Sequence, residues 1–137
     1  TNYYGYAGGN CGGPGVPYAG GSGGGAGAVG STGTTSQTTG LGGVGRENSY
    51  QTGTNKWYAA GGTGNKWDNG SPGYSTRVNN IGGQGDLGYS ITTQDLAKKD
   101  ATVNTGSGGG GSDLRQPSYT RPGNGGSGIV VIRYVAN

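Results

Sequence analysis

Runs of glycine recur along the whole chain and decide which folds are open to it. The clearest are Gly23–Gly25 and Gly108–Gly111, and 37 of the 137 residues are glycine. Glycine has no side chain to bury and loses more conformational entropy on ordering than any other residue. The chain must therefore recover that entropy through dense backbone hydrogen bonding or contacts between chains, or else remain disordered.

The large apolar residues are too few and too scattered to fill an ordinary core. Hydrophobic residues make up 28% of the chain, whereas an ordinary domain uses close to half of its residues for this purpose. We expect a glycine-rich, mostly irregular fold with short β-strands, little helix and no conventional hydrophobic core. Glycine is not placed at every third position, which excludes collagen. Polyglycine II-like packing, in which three-fold extended helices bond side by side, and irregular β-structure both remain open.

The chain is predicted to be a single glycine-rich domain, 1–137, built from degenerate repeats. The repeats start near Tyr18, Tyr58 and Val103, where a β-favouring residue precedes a glycine run. More varied segments lie between the runs and hold both tryptophans and most of the charge. We expect the glycine runs to form a scaffold and the varied segments to form surface loops.

Two segments are predicted to have regular structure. Residues 129–135 are apolar and β-favouring, which predicts a C-terminal β-strand buried on both faces. No other segment matches it as a partner, so we expect the partner strand to come from another chain or from residues outside this sequence. A short helix is predicted over Thr93–Lys99, with Thr92 as its cap.

The residue types argue against catalysis and cofactor binding. The chain has no histidine, and its six acidic residues are separated along the sequence with no apolar pocket to tune them. No phosphate-binding loop pattern is present. We therefore expect no enzyme activity, no cofactor and no metal. Calcium at Asp68 or Asp86 is an alternative to ordinary turns at these positions.

Charge and hydropathy argue against nucleic acid and a membrane as partners of this chain. The net charge of +3 comes from dispersed basic residues, which we expect to be solvated surface charges and too sparse for nucleic acid. No apolar run reaches the ~20 residues of a membrane span, so we expect no membrane insertion. Cys11 is either a free thiol or an interchain bridge, and Asn69 matches the glycosylation acceptor pattern.

The aromatic residues are the best functional signal that remains. The chain holds ten Tyr and two Trp but no Phe, and Trp57 and Trp67 each lie among amide and charged residues. Aromatic rings offer a flat face to a sugar while Asn, Asp and Lys provide directional hydrogen bonds. The alternative is that these rings fill gaps between the glycine runs.

Three glycine-rich stretches resemble a known family. YAGGSGGGAGA at 18–28, TGSGGGGS at 105–112 and, most specifically, GGSGIVVIRY at 125–134 are similar to the glycine-rich C-terminal domains of bacteriophage tail fibres and related virion proteins. Such domains usually open with an apolar strand, which this chain lacks at Thr1–Gly5. We expect that it is either part of a longer protein or a subunit whose terminal strand a neighbour completes. A non-viral filament protein with the same glycine-rich design is an alternative.

The resemblance implies a structural, adhesive module on a virion or in the extracellular space. It implies self-association as a homotrimer, with a bacterial surface glycan or outer-membrane protein as receptor; the alternative is an extracellular filament assembled by β-strand completion. The residues expected to contact a receptor are Tyr50, Trp57, Tyr58, Trp67, Tyr74 and Tyr119, with Asn55, Lys66 and Asp68 as polar contacts. The residues expected to form the oligomer strand are Ile129, Val130, Val131, Ile132 and Tyr134.

Overall fold

A computed structural model describes residues 4–12, 19–34, 39–66, 73–87, 96–112 and 121–135. Two antiparallel strand pairs are present, β1 (Arg46–Asn48) with β2 (Lys56–Tyr58) and β3 (Gly73–Tyr74) with β4 (Asp86–Leu87). A 3₁₀ turn spans Val78–Asn80 and one short helix, α1, spans Leu96–Lys99. The remaining described residues are irregular, which confirms the predicted low-helix, glycine-rich fold. The predicted cap of α1, Thr92, lies outside the described residues.

Backbone hydrogen bonds between glycine segments hold the molecule together, and they recur at every third residue. In the pair formed by 6–12 and 19–25, the N–H groups of Tyr6, Gly9 and Gly12 donate to carbonyls of the other segment at 2.8–3.2 Å. A β-strand would present its donors to one neighbour at every second residue. A spacing of three matches a three-fold extended helix, which offers one donor per turn to each neighbour.

The hydrogen-bonded segments together form what we call the bundle. Parallel and antiparallel neighbours both occur in it. Gly40 and Gly43 donate to Gly20 and Gly23, so segment 40–45 runs parallel to 19–25, whereas 6–12 runs antiparallel to it. Segment 19–25 therefore bonds to several others around its circumference, among them 6–12, 40–45 and 59–66, rather than to two neighbours within a sheet. This is the lateral bonding that the polyglycine II alternative predicts.

Segment 59–66 is the innermost one. Residues 60–64 are all buried, and hydrogen bonds join the segment to four surrounding ones. These bonds are Gly61 N to Gly43 O (2.8 Å), Gly23 N to Gly62 O (3.0 Å), Thr63 N to Gly83 O (3.1 Å) and Gly108 N to Ala60 O (2.9 Å). Such close approach requires glycine at Gly62, because a Cβ there would overlap the carbonyl oxygen of Gly109.

Small side chains replace the usual hydrophobic core. Within the described residues the buried apolar ones are Ala19, Ala60 and Ala101, and the buried hydroxyls belong to Ser22, Thr63, Ser75 and Ser107. The hydroxyls of Thr63 and Ser75 hydrogen-bond to each other, and both accept from the Gly85 N–H, at 2.7 and 2.9 Å. The buried hydroxyl groups thus form hydrogen bonds within the interior, and large apolar groups do not fill it.

The bundle has two ends. One, which we call the hairpin end, carries the β1–β2 hairpin, the 3₁₀ turn and the turn at 102–106. The other carries Lys66, β3 and β4, because Lys66 N donates to Asp86 O and Tyr74 pairs with Asp86. Segment 59–66 connects the two ends over ~20 Å, at about 3.1 Å per residue for a three-fold extended helix.

One ion pair is completely enclosed at the end opposite the hairpin. Lys99 Nζ lies 2.5 Å from Asp86 Oδ2, both side chains are 0% exposed, and the same nitrogen donates to Arg121 O at 2.8 Å. The prediction that the basic residues are solvated surface charges is therefore wrong for Lys99. The carboxylate of Asp86, the alternative calcium ligand, instead faces this ammonium group.

The C-terminal segment 129–135 differs from its predicted state. The sequence predicts a strand buried on both faces, but the described chain forms no strand there and Val130, Ile132 and Tyr134 are 80–89% exposed. A strand needs the backbone of a neighbour, and no backbone hydrogen bond joins 129–135 to another described segment. The single chain thus leaves these side chains exposed, and strand formation with another chain, through which they would be buried, stays a prediction.

Close packing at Gly62 leads to a stability prediction. Gly62→Ala should lower the free energy of unfolding by about 3 kcal/mol or more, because the added methyl group meets backbone that cannot rotate away. Gly5→Ala is the control, since no heavy atom lies within 4 Å of a Cβ at that site. Urea unfolding followed by circular dichroism measures both, and equal losses in the two variants would contradict the bundle packing.

The buried pair leads to a second stability prediction. Lys99→Met should cost about 3–5 kcal/mol, because it leaves the Asp86 carboxylate buried without its counter-ion. Adding Asp86→Leu should restore at least half of that loss, which a double-mutant cycle measures. Lys56→Met removes an exposed lysine and should change stability by less than about 0.5 kcal/mol. A double variant no more stable than Lys99→Met would show that the ion pair does not account for the loss.

Candidate functional site

The β1–β2 hairpin gathers part of the predicted recognition set. Its register places Arg46 opposite Tyr58, Glu47 opposite Trp57 and Asn48 opposite Lys56. The connecting turn is closed by local bonds, since Asn48 Oδ1 accepts from the Tyr50 N–H at 3.1 Å and Ser49 O from the Gly53 N–H at 2.8 Å. Gly53 has φ +80°, a left-handed conformation that glycine adopts readily.

Four predicted receptor-contacting residues lie together on this hairpin. Tyr50 is 65% exposed, Asn55 is exposed, and Trp57 and Tyr58 are half-buried. Lys66 and Tyr74 lie at the other end of the bundle, so the structure does not join them to this group. Trp67, Asp68 and Tyr119 are outside the described residues. Whether any of these residues contacts a receptor stays a prediction.

Two clefts flank Tyr58. The tyrosine cleft, of about 390 Å³, lies between the hairpin and the start of the C-terminal segment and is defined by Asn48, Tyr50, Tyr58, Ala59, Ile129 and Val131. The tryptophan cleft, of about 380 Å³, lies between the hairpin, the 3₁₀ turn and the 102–105 turn and is defined by Gln51, Lys56, Trp57, Asn79, Thr102 and Asn104. Both volumes are within the ~300–1,000 Å³ usual for ligand pockets.

Three side-chain amides of the tryptophan cleft are anchored through their oxygen atoms. Asn79 Oδ1 accepts from the Gly45 N–H at 2.9 Å, Gln51 Oε1 from the Tyr58 hydroxyl at 2.9 Å, and Asn104 Oδ1 from the Ser127 hydroxyl at 3.1 Å. The Asn79 and Asn104 bonds connect the cleft to other parts of the chain, and the Gln51 bond lies within the hairpin. The side chains that line the cleft are therefore held in position before any ligand arrives.

Left-handed backbone conformations concentrate around the two clefts. The non-glycine residues with positive φ in the described chain are Ala59 (54°), Asn79 (49°), Asn80 (58°) and Asn104 (58°). Asparagine adopts this region more easily than most residues, but alanine does so at a cost of about 1–2 kcal/mol. Hydrogen bonds on both sides hold Ala59, since its N–H donates to Thr105 O at 2.7 Å and its carbonyl accepts from the Ala26 N–H at 2.9 Å.

Sequence reasoning missed Gln51, Asn79 and Asn104. They are ordinary polar residues far apart in the chain, and only the packing of the bundle brings them to one cleft. A weak signal was available, because a Val-Asn pair precedes a glycine run at Val78–Asn79 and again at Val103–Asn104. Asparagine at the end of an extended segment favours a turn with positive φ.

A second ion pair fixes the base of the C-terminal segment. Arg121 donates two hydrogen bonds to the Asp100 carboxylate, at 2.6 and 2.7 Å, and the Asn124 N–H adds a third at 2.7 Å. The Arg121 bonds hold the pKa of Asp100 below its ordinary value of 3.8, despite opposing desolvation, and the pairing raises the pKa of Arg121. The pair joins the end of α1 to the segment that continues to 129–135.

Other functional features are not found in the described part of the chain. No group of three or more His, Cys, Asp or Glu residues is arranged to hold a metal ion there. None of its helices is both long and apolar enough to pass through a bilayer. Cys11 is an exposed free thiol.

The fold and the two clefts define a class of protein, a glycine-segment bundle that displays side chains at its ends. The chain matches the family model described as a glycine-rich domain over residues 1–135, and it therefore belongs to that family. Comparisons with curated proteins and with solved structures gave no match.

The pKa of Asp100 leads to a pH prediction. Because its folded-state value is lowered, the stability that Asp100 contributes is complete above its unfolded value of ~3.9 and is lost as the pH falls through the folded value. The difference in unfolding free energy between the wild type and Asp100→Asn should be at most about 1 kcal/mol near neutral pH, since the pair is partly exposed, and should shrink below pH ~4.

Urea unfolding at a series of pH values between about 2 and 7 measures this difference. Arg121→Gln should produce a similar reduction in acid sensitivity, because its hydrogen bonds are the largest cause of the lowered pKa. A wild-type advantage over Asp100→Asn that stays constant across the whole range would contradict the assignment.

Proposed function

We propose that this chain is a structural, adhesive protein, a glycine-rich domain of a bacteriophage tail fibre or related virion appendage that presents side chains to a host surface. The observation that carries the proposal is the rigid attachment of a partly exposed aromatic hairpin to a bundle bonded through its backbone. Tyr50, Trp57 and Tyr58 are held beside two preformed clefts. Aromatic groups with nearby amides suit the recognition of sugars and protein surfaces.

The sequence resemblance supports the viral setting. The glycine runs and the GGSGIVVIRY ending are similar to those of tail-fibre domains, which implies a homotrimer on a virion whose receptor is a bacterial surface glycan or outer-membrane protein. The proposal includes no catalytic step. Two of the described carboxylates, Asp86 and Asp100, are engaged in ion pairs, and the chain has no histidine to act as a base near neutral pH.

Binding of the labelled chain to bacterial cells tests this function. The 137-residue chain should bind some strains of a panel of bacteria with different surface polysaccharides, as measured by flow cytometry. Trp57→Ala should reduce binding at least about fivefold, because truncation of an aromatic anchor commonly costs more than about 1 kcal/mol.

The matched control is Tyr4→Ala, which removes an 81% exposed aromatic side chain that lines neither cleft. Circular dichroism verifies that both variants fold. Binding to none of the strains, or equal binding by the wild type and Trp57→Ala, would count against the adhesive function at this hairpin.

A second candidate function is the repeating subunit of an extracellular filament assembled by β-strand completion. The observation that favours it is the exposed apolar segment 129–135, where Val130 is 89% and Ile132 is 80% exposed. An extended apolar segment of this kind can add as a strand to the sheet edge of a neighbouring subunit.

Oligomer size separates the two candidates. Light scattering with negative-stain imaging should show a discrete trimer for the tail-fibre module and open-ended polymers for the filament. Val130→Lys and Ile132→Lys should stop polymer growth without unfolding the single chain, since both side chains already face solvent there. Polymers that form equally well from these variants would eliminate strand completion through 129–135.

A further inference from the structure

The side chains of the tryptophan cleft offer a ligand more hydrogen-bond donors than acceptors. The amide oxygens of Asn79, Gln51 and Asn104 are each occupied by a donor from the chain itself. Their NH₂ groups make no hydrogen bond within the described part of the chain. A carboxamide with its oxygen occupied can still donate two hydrogen bonds, so these three groups present donors to the cleft.

The hydroxyl groups of the cleft belong to Tyr58, Thr102 and Thr105, and that of Tyr58 donates to Gln51 Oε1 at 2.9 Å. Thr105 Oγ1 donates to Thr102 O at 2.6 Å, and Thr102 Oγ1 accepts from an Arg77 guanidinium nitrogen at 3.3 Å. Each hydroxyl thus has at least one of its hydrogen-bonding positions filled by the protein. Among the side chains of the cleft, the free N–H groups of the three amides therefore outnumber the hydroxyl oxygens that can still accept.

The charged side chain that lines the cleft has the same sign as this donor excess. Lys56 lines the cleft and forms no ion pair within the described residues. Arg77 lies behind Thr102, and its nitrogens bond to the carbonyls of Gly82 and Asp100 rather than to a carboxylate. Among the described residues no Asp or Glu lines the cleft, and Glu47 lies opposite Trp57 in the hairpin but outside the lining.

We propose that the tryptophan cleft binds a sugar residue that carries a carboxylate, with the sugar ring against Trp57 and the carboxylate toward Lys56 and the amide NH₂ groups. This inference rests on the proposed function, because it names the ligand class of the same hairpin. A carboxylate accepts hydrogen bonds and donates none, so it matches a cleft that is rich in donors. A neutral sugar can accept the same hydrogen bonds through its hydroxyl groups, but it offers no negative charge to Lys56.

Calorimetric titration with a uronic acid oligosaccharide tests the inference directly. The full chain is titrated with trigalacturonic acid and with the same trisaccharide after methyl esterification, which keeps the rings and removes the charge. The acid should bind at least about tenfold more tightly than the ester. Lys56→Gln should abolish this preference, and Trp57→Ala should weaken the binding of both sugars.

Arg133→Gln is the matched control, because it removes one exposed positive charge from the C-terminal segment and leaves the cleft unchanged. It should retain the preference for the acid. If Arg133→Gln loses as much affinity as Lys56→Gln, the attraction is a property of the net charge and the inference is overturned. Equal affinity for acid and ester, or no binding of either, also overturns it.

The cell-binding assay tests the proposed function and the sugar titration tests this inference, and either can give a negative result without the other. A chain that binds bacterial cells but shows no preference for the acid keeps its adhesive function and loses the carboxylate specificity. A chain that binds the acid through Lys56 but attaches to no cell supports the cleft assignment and contradicts the adhesive role.

Discussion

The backbone hydrogen bonds between neighbouring glycine segments are the interaction on which the rest of this structure depends. They recur at every third residue, they join segments in both directions, and they surround segment 59–66 on four sides. Each such bond contributes only about 0.5–1.5 kcal/mol net, so stability comes from their number and from the exclusion of water around residues 60–64. The arrangement also explains the composition, because a Cβ at Gly62 would collide with the backbone of the next segment.

A bundle of this kind leaves little room for large side chains in its interior. The side chains that are buried are small, except where Asp86 and Lys99 form an enclosed ion pair. That pair brings β4, α1 and the carbonyl of Arg121 together, and the Asp86 backbone also bonds to Gly111 and Lys66. Moving any of these segments by one residue would separate two buried charges. The pair therefore acts against slippage between glycine segments, whose own backbone contacts are nearly identical from one turn to the next.

Large polar and aromatic side chains are consequently found where the segments end. At the hairpin end, Gln51 and Trp57 of the hairpin meet Asn79 and Asn104 of two turns in one cleft. The amides of Asn79 and Asn104 are anchored to other segments, and that of Gln51 is anchored to Tyr58 across the hairpin. Hydrogen bonds to the bundle hold these side chains in position, and among the described residues no hydrophobic core lies beneath them. The exposed segment 129–135 extends from the same end, beside the tyrosine cleft.

The sequence by itself determined the glycine scaffold, the scarcity of helix, the lack of a conventional core and the clustering of Tyr50, Asn55, Trp57 and Tyr58, because composition and local spacing decide these properties. It also indicated that 129–135 has no partner within the chain. Only the tertiary structure decided that the segments bond at every third residue, that Lys99 is buried against Asp86, and that Asn79 and Asn104 lie beside Trp57. Those features depend on which segments become neighbours, and glycine runs carry no side chains from which their pairing or register could be predicted.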